Sequence, residues 1–160
     1  MVKPVLVFGY GNLSRGDDAL GPLLLAHIEA HCDLERVEVL VDFQLQIEHA
    51  LDIQQRELVL FADASLNCPP PFAFAAISPA QDNSYTTHAM SPAALLAVYQ
   101  RISPLPLPPC FLLSIRAEKF GLGDGLSLTA ANNLVLAGQF VEMLLAKASV
   151  EDWCCAAKVG

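Results

Sequence analysis

Two carboxylates and one imidazole, carried on three separate segments of the chain, are the side chains that could carry out chemistry together. Asp18 follows a glycine-rich turn, Asp63 ends an apolar segment, and His88 lies in a polar stretch. Carboxylate and imidazole groups suit a borderline divalent cation such as nickel or zinc, and three protein ligands leave positions open for water or substrate. Such a cation can polarise a carbonyl group or generate hydroxide. The three residues therefore indicate metal-assisted chemistry of the kind that hydrolysis requires.

The segment Gly9 to Asp18 holds the densest set of these polar groups. It places glycines, the amide of Asn12 and two carboxylates between an apolar strand and a helix predicted from about Leu20 to His31. Ligands bind at such junctions in open α/β sheets, because the carboxyl ends of the strands and the helix N-termini face one crevice. A binding site is expected at this junction.

Strand and helix patterns alternate along the chain. Strands are predicted at residues 4–9, 36–42, 57–63, 72–77 and 110–115, and helices at 20–31, 46–54, 91–101 and from about 127 or 129 onward. The order βαβαββαβα predicts a three-layer α/β sandwich, with a mostly parallel five-stranded sheet flanked by helices on both faces. If the first three strands are parallel, four polar residues meet at one edge of the sheet, which His88 could also reach: Asn12, Asp18, Asp42 and Asp63.

Each of these residues also has a simpler explanation when it is taken alone. Asp63 could cap a turn, Asp17 and Asp18 could be carboxylates favoured at a helix N-terminus, and His88 could be a solvated loop histidine. Only their combination indicates a site.

Length and composition restrict the class of protein. The 160 residues are 54% hydrophobic and 16% charged, which fits one domain over residues 1–149 followed by a loosely ordered tail over 150–160. A net charge of -8 with nine Lys and Arg argues against nucleic acid or an anionic membrane as partner. No apolar run approaches the roughly 20 residues of a membrane span, so a cytoplasmic protein is expected.

Taken with their surroundings, the candidate residues resemble those of one family. Four segments carry the likeness: residues 5–12 with 16–21, residues 37–42, residues 58–64, and His88 leading into the helix that contains Leu95 and Leu96. In order and spacing, over about residues 2–146, they are similar to the hydrogenase maturation endopeptidases. These enzymes remove the C-terminal extension from the large-subunit precursor of nickel-iron hydrogenases.

The resemblance implies a set of functional residues. The family's nickel-recognising triad of an acidic residue, an Asp and a His falls on Asp18, Asp63 and His88, which would serve as metal ligands and catalytic residues. Family members commonly carry Glu at the first position, so the carboxylate of Asp18 is one methylene shorter. The nickel would arrive already inserted in the hydrogenase precursor, which is the expected protein partner, and the enzyme itself is expected to be a monomer.

A second departure from the family pattern follows Asp42. Many relatives have a Gly-Gly-Thr-like turn there, whereas this chain has Phe-Gln-Leu-Gln-Ile-Glu-His over residues 43–49. This variant looks like the branch that serves soluble, NAD-linked bidirectional hydrogenases. Gln44 or Gln46 would offer an amide donor and a carbonyl acceptor to an extended peptide, although an ordinary polar helix start has the same composition.

The predicted substrate-binding residues are therefore Asn12, Asp42, Gln44 and Gln46. The identity of the general base is open among three carboxylates, those of Asp17, Asp42 and Asp63.

Two other functions compete with this interpretation. Gly9 and Gly11 after a first strand, with Asp42 ending a second, partly match a dinucleotide-binding fingerprint. Ser14 occupies the third glycine position, however, and Asp17 and Asp18 would repel phosphate. The other alternative is a non-catalytic nickel-binding or scaffold protein of the same fold, which would bind the precursor and leave its mass unchanged.

Overall fold

The computed structural model describes residues 1–81 and 90–159, over which the chain alternates between strands and helices as predicted. The strands are β1 (Val5–Tyr10), β2 (Val37–Asp42), β3 (Leu58–Ser65), β4 (Phe72–Ile77) and β5 (Cys110–Arg116). The α-helices are α1 (Leu20–His31), α2 (Pro92–Ile102), α3 (Leu128–Ala146) and α4 (Val150–Val159). Two 3-10 helices, Gly16–Ala19 and Ile47–Ile53, precede α1 and β3.

The five strands form one sheet in the order β2-β1-β3-β5-β4, and only β4, which lies at an edge of the sheet, runs antiparallel to its neighbour. The predicted mostly parallel, five-stranded α/β architecture is confirmed. Tyr10 pairs with Asp42 across β1 and β2, and Gly9 pairs with Ala62 across β1 and β3. Asp63 therefore lies one residue beyond the last pair, and the ends of three parallel strands meet at one carboxyl edge.

Helices cover both faces of the sheet, as a three-layer sandwich requires. On one face α1, α3 and α4 bury a cluster that includes Val7, Leu60 and Leu113. On the other face α2 and the 3-10 helix Ile47–Ile53 cover a second cluster that includes Phe8 and Phe61. Because side chains alternate between the faces of a strand, Tyr10, Asp42 and Asp63 share the second face.

Serine hydroxyls set the beginnings of the two long helices after β4. The Ser91 hydroxyl accepts a hydrogen bond of 3.1 Å from the Ala94 N–H, and Pro92 takes the first helical position of α2. The Ser127 hydroxyl accepts one of 3.1 Å from the Ala130 N–H at the start of α3. The predicted helix starts are confirmed at both positions.

The C-terminal segment differs from the expected loosely ordered tail. Residues Val150–Val159 form α4, and the side chain of Trp153 is fully buried against the sheet. Its indole N–H donates a 3.0 Å hydrogen bond to the Leu144 carbonyl, and its ring meets Phe111 edge-on at 5.4 Å. The expectation is wrong because one buried tryptophan provides enough apolar contact to hold a short terminal helix.

Among the described residues one helix, α3, is long and apolar enough to cross a membrane by length and composition alone, which differs from the expectation that no apolar run approaches a membrane span. Its mean hydropathy over 18 residues is 1.2. The buried side of α3 includes Ala137 and Val141, which belong to the core cluster shared with α1 and β5.

Candidate functional site

Glycines bring the start of α1 directly against the carboxyl edge of the sheet. A Cβ atom at Gly21 would lie 2.5 Å from the Tyr10 carbonyl oxygen and 2.9 Å from that of Ala62. Gly11 has a φ of 150°, and a Cβ there would collide with the carbonyl oxygen of Asp18. Only glycine fits these positions, so the 3-10 helix that carries Asp18 is held close to the ends of β1 and β3.

Asp18 closes the turn that leaves β1. Its Oδ2 atom accepts a 2.9 Å hydrogen bond from the backbone N–H of Asn12, and its own N–H donates to the Arg15 carbonyl at 3.1 Å. The side chain is half-buried. The carboxylate predicted as the first member of the triad is therefore fixed at the carboxyl edge by the glycine-rich turn.

Asp63, which is half-buried, and the buried Tyr10 lie beside Asp18. Burial and the nearby charge of Asp18 raise the pKa of the Asp63 carboxyl, whereas hydrogen bonds from Tyr10 and the Ala64 backbone lower it, and the balance lies at about 7. Burial also raises the pKa of the Tyr10 phenol well above its usual value, and the Asp63 charge acts in the same direction. Asp18 and Asp63 are thus close enough to interact electrostatically.

Asp42 occupies the same edge on the other side of Tyr10. Its Oδ1 atom accepts a 2.7 Å hydrogen bond from the Phe43 N–H, and its Oδ2 lies 3.1 Å from Nε2 of His49. The Asp42 side chain is 37% exposed, so it remains accessible to a substrate, whereas that of His49 is 14% exposed.

The carboxylate of Asp17, one of the three candidate bases, is occupied by hydrogen bonds that stabilise the fold. Its fully buried carboxylate accepts hydrogen bonds from the backbone N–H groups of Glu118, Lys119 and Ser127 and from the Ser127 hydroxyl, at 2.7–3.2 Å. Burial raises its pKa, but the hydrogen bonds outweigh burial and the pKa lies below its ordinary value. These hydrogen bonds connect the loop before α3 to the turn before α1. A carboxylate whose oxygens already accept four hydrogen bonds is a poor proton acceptor.

The predicted substrate-binding residues differ in how accessible their side chains are to a bound peptide. Gln44 and Gln46 are both exposed, on either side of the buried Leu45. The Asn12 side-chain oxygen accepts a 2.8 Å hydrogen bond from the Ser14 N–H, and so supports its own turn.

The third member of the predicted triad, His88, lies outside the described residues. Within residues 1–81 and 90–159 no three His, Cys, Asp or Glu side chains are grouped as metal ligands. Met90, the first described residue after the gap, packs against the core cluster of the face that carries Tyr10 and Asp63. The triad itself remains a prediction.

The sequence patterns do not single out two residues of the site, Tyr10 and His49. Tyr10 resembles an ordinary core aromatic, although its alternation with Phe8 and its position at the strand end are signals that it faces the site. The contact between His49 and Asp42 has no comparable signal, because seven residues and a tight loop separate them.

Several solved structures are similar to this chain over most of their length. The hydrogenase maturating endopeptidase HybD from E. coli matches with a TM-score of 0.71 and 22% identity, covering 91% of this chain and 93% of that one. The [NiFe] hydrogenase maturation protease HycI from Thermococcus kodakarensis KOD1 matches with a TM-score of 0.68 and 18% identity, covering 91% and 94%. A hydrogenase 2 maturation peptidase from a Thaumarchaeota archaeon gives 0.64 and 22%, covering 89% and 98%.

The chain has the fold of the hydrogenase maturation proteases. No protein-family model matches the sequence, and no curated protein matches it either. The likeness to this protease fold covers 93–98% of the three matched structures and 89–91% of this chain, so the fold of most of the chain is established by comparison.

Within this maturation-protease fold, the glycine turn is poorly suited to a dinucleotide. The Gly11 N–H donates to the Asp42 carbonyl at 3.1 Å, and the Asn12 N–H donates to the Asp18 carboxylate. In a dinucleotide-binding turn, by contrast, the glycines let the backbone approach the pyrophosphate closely. Here the space is lined by carboxylates, which disfavours the nucleotide-binding alternative.

Proposed function

We propose that this chain is an endopeptidase that removes the C-terminal extension from a nickel-loaded large-subunit precursor of a nickel-iron hydrogenase. The observation that supports the proposal is the proximity of Asp18 and Asp63 at the carboxyl edge of the sheet, in a fold similar to that of a hydrogenase maturating endopeptidase. Ligands bind at this edge in α/β sheets, because several strand ends and a helix N-terminus converge there.

The donor set fits a divalent cation carried by the substrate. Burial and the charge of Asp18 raise the pKa of Asp63 to about 7, so the protein alone favours the protonated form of this carboxyl more than water does. A cation beside both carboxylates would favour their charged forms. Imidazole and carboxylate oxygen are suitable ligands for nickel, and in our proposal His88 supplies the imidazole. Its position two residues before the packed Met90 supports this role.

The chain's own residues then orient the peptide and accept the proton that the attacking water releases. In this proposal Asp18, Asp63 and His88 recognise the inserted nickel, which brings the scissile peptide to the carboxyl edge. Water positioned there attacks the carbonyl carbon while a carboxylate accepts its proton; the C–N bond then breaks, and the amine of the released C-terminal fragment takes up that proton. Asp17 is excluded from that role by its four hydrogen bonds, which leaves Asp42 and Asp63 as proton acceptors.

The precursor tail meets the exposed groups around Asp42. Asp42 accepts hydrogen bonds from the backbone N–H groups of an extended peptide, and Gln44 and Gln46 offer both donors and acceptors to it. Asn12 borders the same edge through its turn. The residue pattern of this loop favours a precursor of the soluble, NAD-linked type, and we place the reaction in the cytoplasm with a monomeric enzyme.

Intact-mass measurement of the precursor tests the proposal. The protein is mixed with purified large-subunit precursor, with and without inserted nickel. We expect loss of a C-terminal fragment only from the nickel-loaded form, and no loss with His88→Ala. Binding without any change of mass would instead indicate a scaffold protein, and equal cleavage of both forms would contradict the nickel-sensing role.

A further inference from the structure

The loop of residues 43–46, which follows β2, is closed at its base by a single imidazole. Nε2 of His49 lies 3.1 Å from Oδ2 of Asp42, at the start of the loop. Nδ1 of the same ring accepts a 2.8 Å hydrogen bond from the backbone N–H of Gln46, at its end. The His49 N–H also donates to the Gln46 carbonyl at 2.9 Å. One side chain therefore connects both ends of the loop.

The two contacts of the ring define its chemical state. Nδ1 accepts a hydrogen bond and so carries no proton, which assigns the proton to Nε2, the atom that donates to Asp42. Both nitrogens are occupied, and the ring packs edge-on against Phe8 with a centroid distance of 4.5 Å. His49 therefore has neither a free nitrogen nor the freedom of movement that a general base would need.

The closed loop presents its other side chains outward. Leu45 is buried in the core cluster beneath the loop. Because Leu45 anchors the loop, the side chains of the adjacent loop residues face solvent. Phe43 is 72% exposed, and Gln44 and Gln46 are exposed beside it. The loop thus exposes one large apolar side chain and two amide side chains next to the Asp42 carboxylate. This arrangement suits the binding of an extended peptide whose side chains alternate between apolar and polar contacts.

We propose that His49 is a positioning residue that keeps the 43–46 loop pre-formed for the C-terminal tail of the precursor. The inference rests on the proposed function and adds a residue to it. A loop that is already ordered loses less conformational entropy when it binds a peptide, so the ring strengthens binding without touching the substrate. Its effect should appear in KM rather than in kcat.

The experiment compares three variants of the full-length protein in two measurements. His49→Phe keeps the packing on Phe8 but removes both hydrogen bonds, and His49→Gln keeps an amide donor that can reach Asp42. His27→Phe is the matched control, because His27 pairs with Glu142 at 3.3 Å on the opposite face of the sheet. The readouts are amide hydrogen exchange at Gln46 in the free protein, and KM and kcat for nickel-loaded precursor.

For His49→Phe we expect KM to rise about tenfold with kcat within about threefold, and Gln46 exchange to accelerate at least tenfold. His49→Gln should give a smaller rise in KM, and His27→Phe none. An unchanged KM in a folded His49→Phe protein, or a fall in kcat at constant KM, would overturn the inference. Should His49→Phe fail to fold, unchanged exchange and KM in His49→Gln would overturn it equally. If the wild type does not cleave the precursor, the proposed function is overturned instead. This outcome is distinguishable, because the wild type is measured before any variant.

Discussion

Tyr10 and Asp63 lie next to each other on one face of the sheet at its carboxyl edge, where β1 ends beside β3. Tyr10 is buried, and burial together with the charge of Asp18 holds the pKa of Asp63 near 7. Carboxyl groups with such perturbed pKa values destabilise the folded protein when they ionise, and they concentrate at functional sites. The raised pKa of Asp63 therefore makes the stability of the protein depend on pH.

Replacing Asp63 by Asn should stabilise the protein at neutral and alkaline pH. The unfolded carboxyl has a pKa of about 3.9, whereas the folded one has a pKa of about 7. Between these values the folded state binds more protons than the unfolded state, so wild-type stability falls as the pH rises. We expect Asp63→Asn to match the wild type near pH 4 and to exceed it by up to about 4 kcal/mol at pH 8.

Urea unfolding at a series of pH values measures this difference. Asp33→Asn serves as control, because Asp33 is exposed and accepts only a local hydrogen bond from Glu35. A stability difference for Asp63→Asn that stays constant from pH 4 to pH 8 would show that Asp63 ionises normally.

Removing the Tyr10 hydroxyl should raise the pKa of Asp63 above 7. The hydrogen bond from Tyr10 lowers that pKa, so Tyr10→Phe leaves burial and the Asp18 charge less opposed. Carboxyl carbon NMR of Asp63 as a function of pH measures the change. Tyr99→Phe is the matched control, since the buried Tyr99 hydroxyl donates to the Pro106 carbonyl and not to a carboxylate. A fall in the pKa of Asp63 on Tyr10→Phe would contradict the assigned contact.

Asp17→Asn should destabilise the protein by about 3 kcal/mol at neutral pH, because hydrogen bonds to a buried charge contribute about 1.5–3 kcal/mol each and an amide can accept only some of them. The folded pKa of Asp17 is lowered, so its contribution is present above the unfolded pKa and is lost as the pH falls through the folded value. The gap in unfolding free energy between wild type and Asp17→Asn should therefore narrow below about pH 4. A gap that widens on acidification would refute this role.

Gly21→Ala should destabilise the protein by about 2 kcal/mol, although alanine is the better helix former. The added Cβ would press on the carbonyl oxygens of Tyr10 and Ala62 and move α1 away from the sheet edge. Gly125→Ala is the control, because no atom lies within 4 Å of its Cβ position. Thermal unfolding of both variants provides the comparison, and equal midpoints would mean that the close approach of α1 is not required.

The fold could be predicted from the sequence to a large extent because its signals are local. Apolar runs ending in Asp42 and Asp63 marked strand ends, and Ser91 followed by Pro92 marked a helix start. β3 nevertheless continues two residues past Asp63, since Ala64 and Ser65 pair with β5. That pairing depends on a strand about 50 residues away in the chain, which no local pattern reveals.

The site was less completely predictable, because parts of it depend on contacts between distant elements. The proximity of Asp18 and Asp63 is predictable because parallel strands end at the same edge of a sheet. The contact between His49 Nε2 and Asp42 Oδ2 is not, because it depends on the path of one loop. Asp17 looked equivalent to Asp18 in the sequence, and only the loop before α3 distinguishes them. The α4 helix was missed because its stability comes from one buried ring, that of Trp153.

The intact mass of a nickel-loaded large-subunit precursor, measured after incubation with the wild type, Asp63→Asn and Asp33→Asn, tests whether the carboxyl edge of the sheet recognises nickel. We expect the wild type and Asp33→Asn to release the C-terminal fragment, whereas Asp63→Asn, although folded and at least as stable at neutral pH, should release none. Cleavage by Asp63→Asn at the wild-type rate would contradict the claim that this carboxyl edge recognises the nickel.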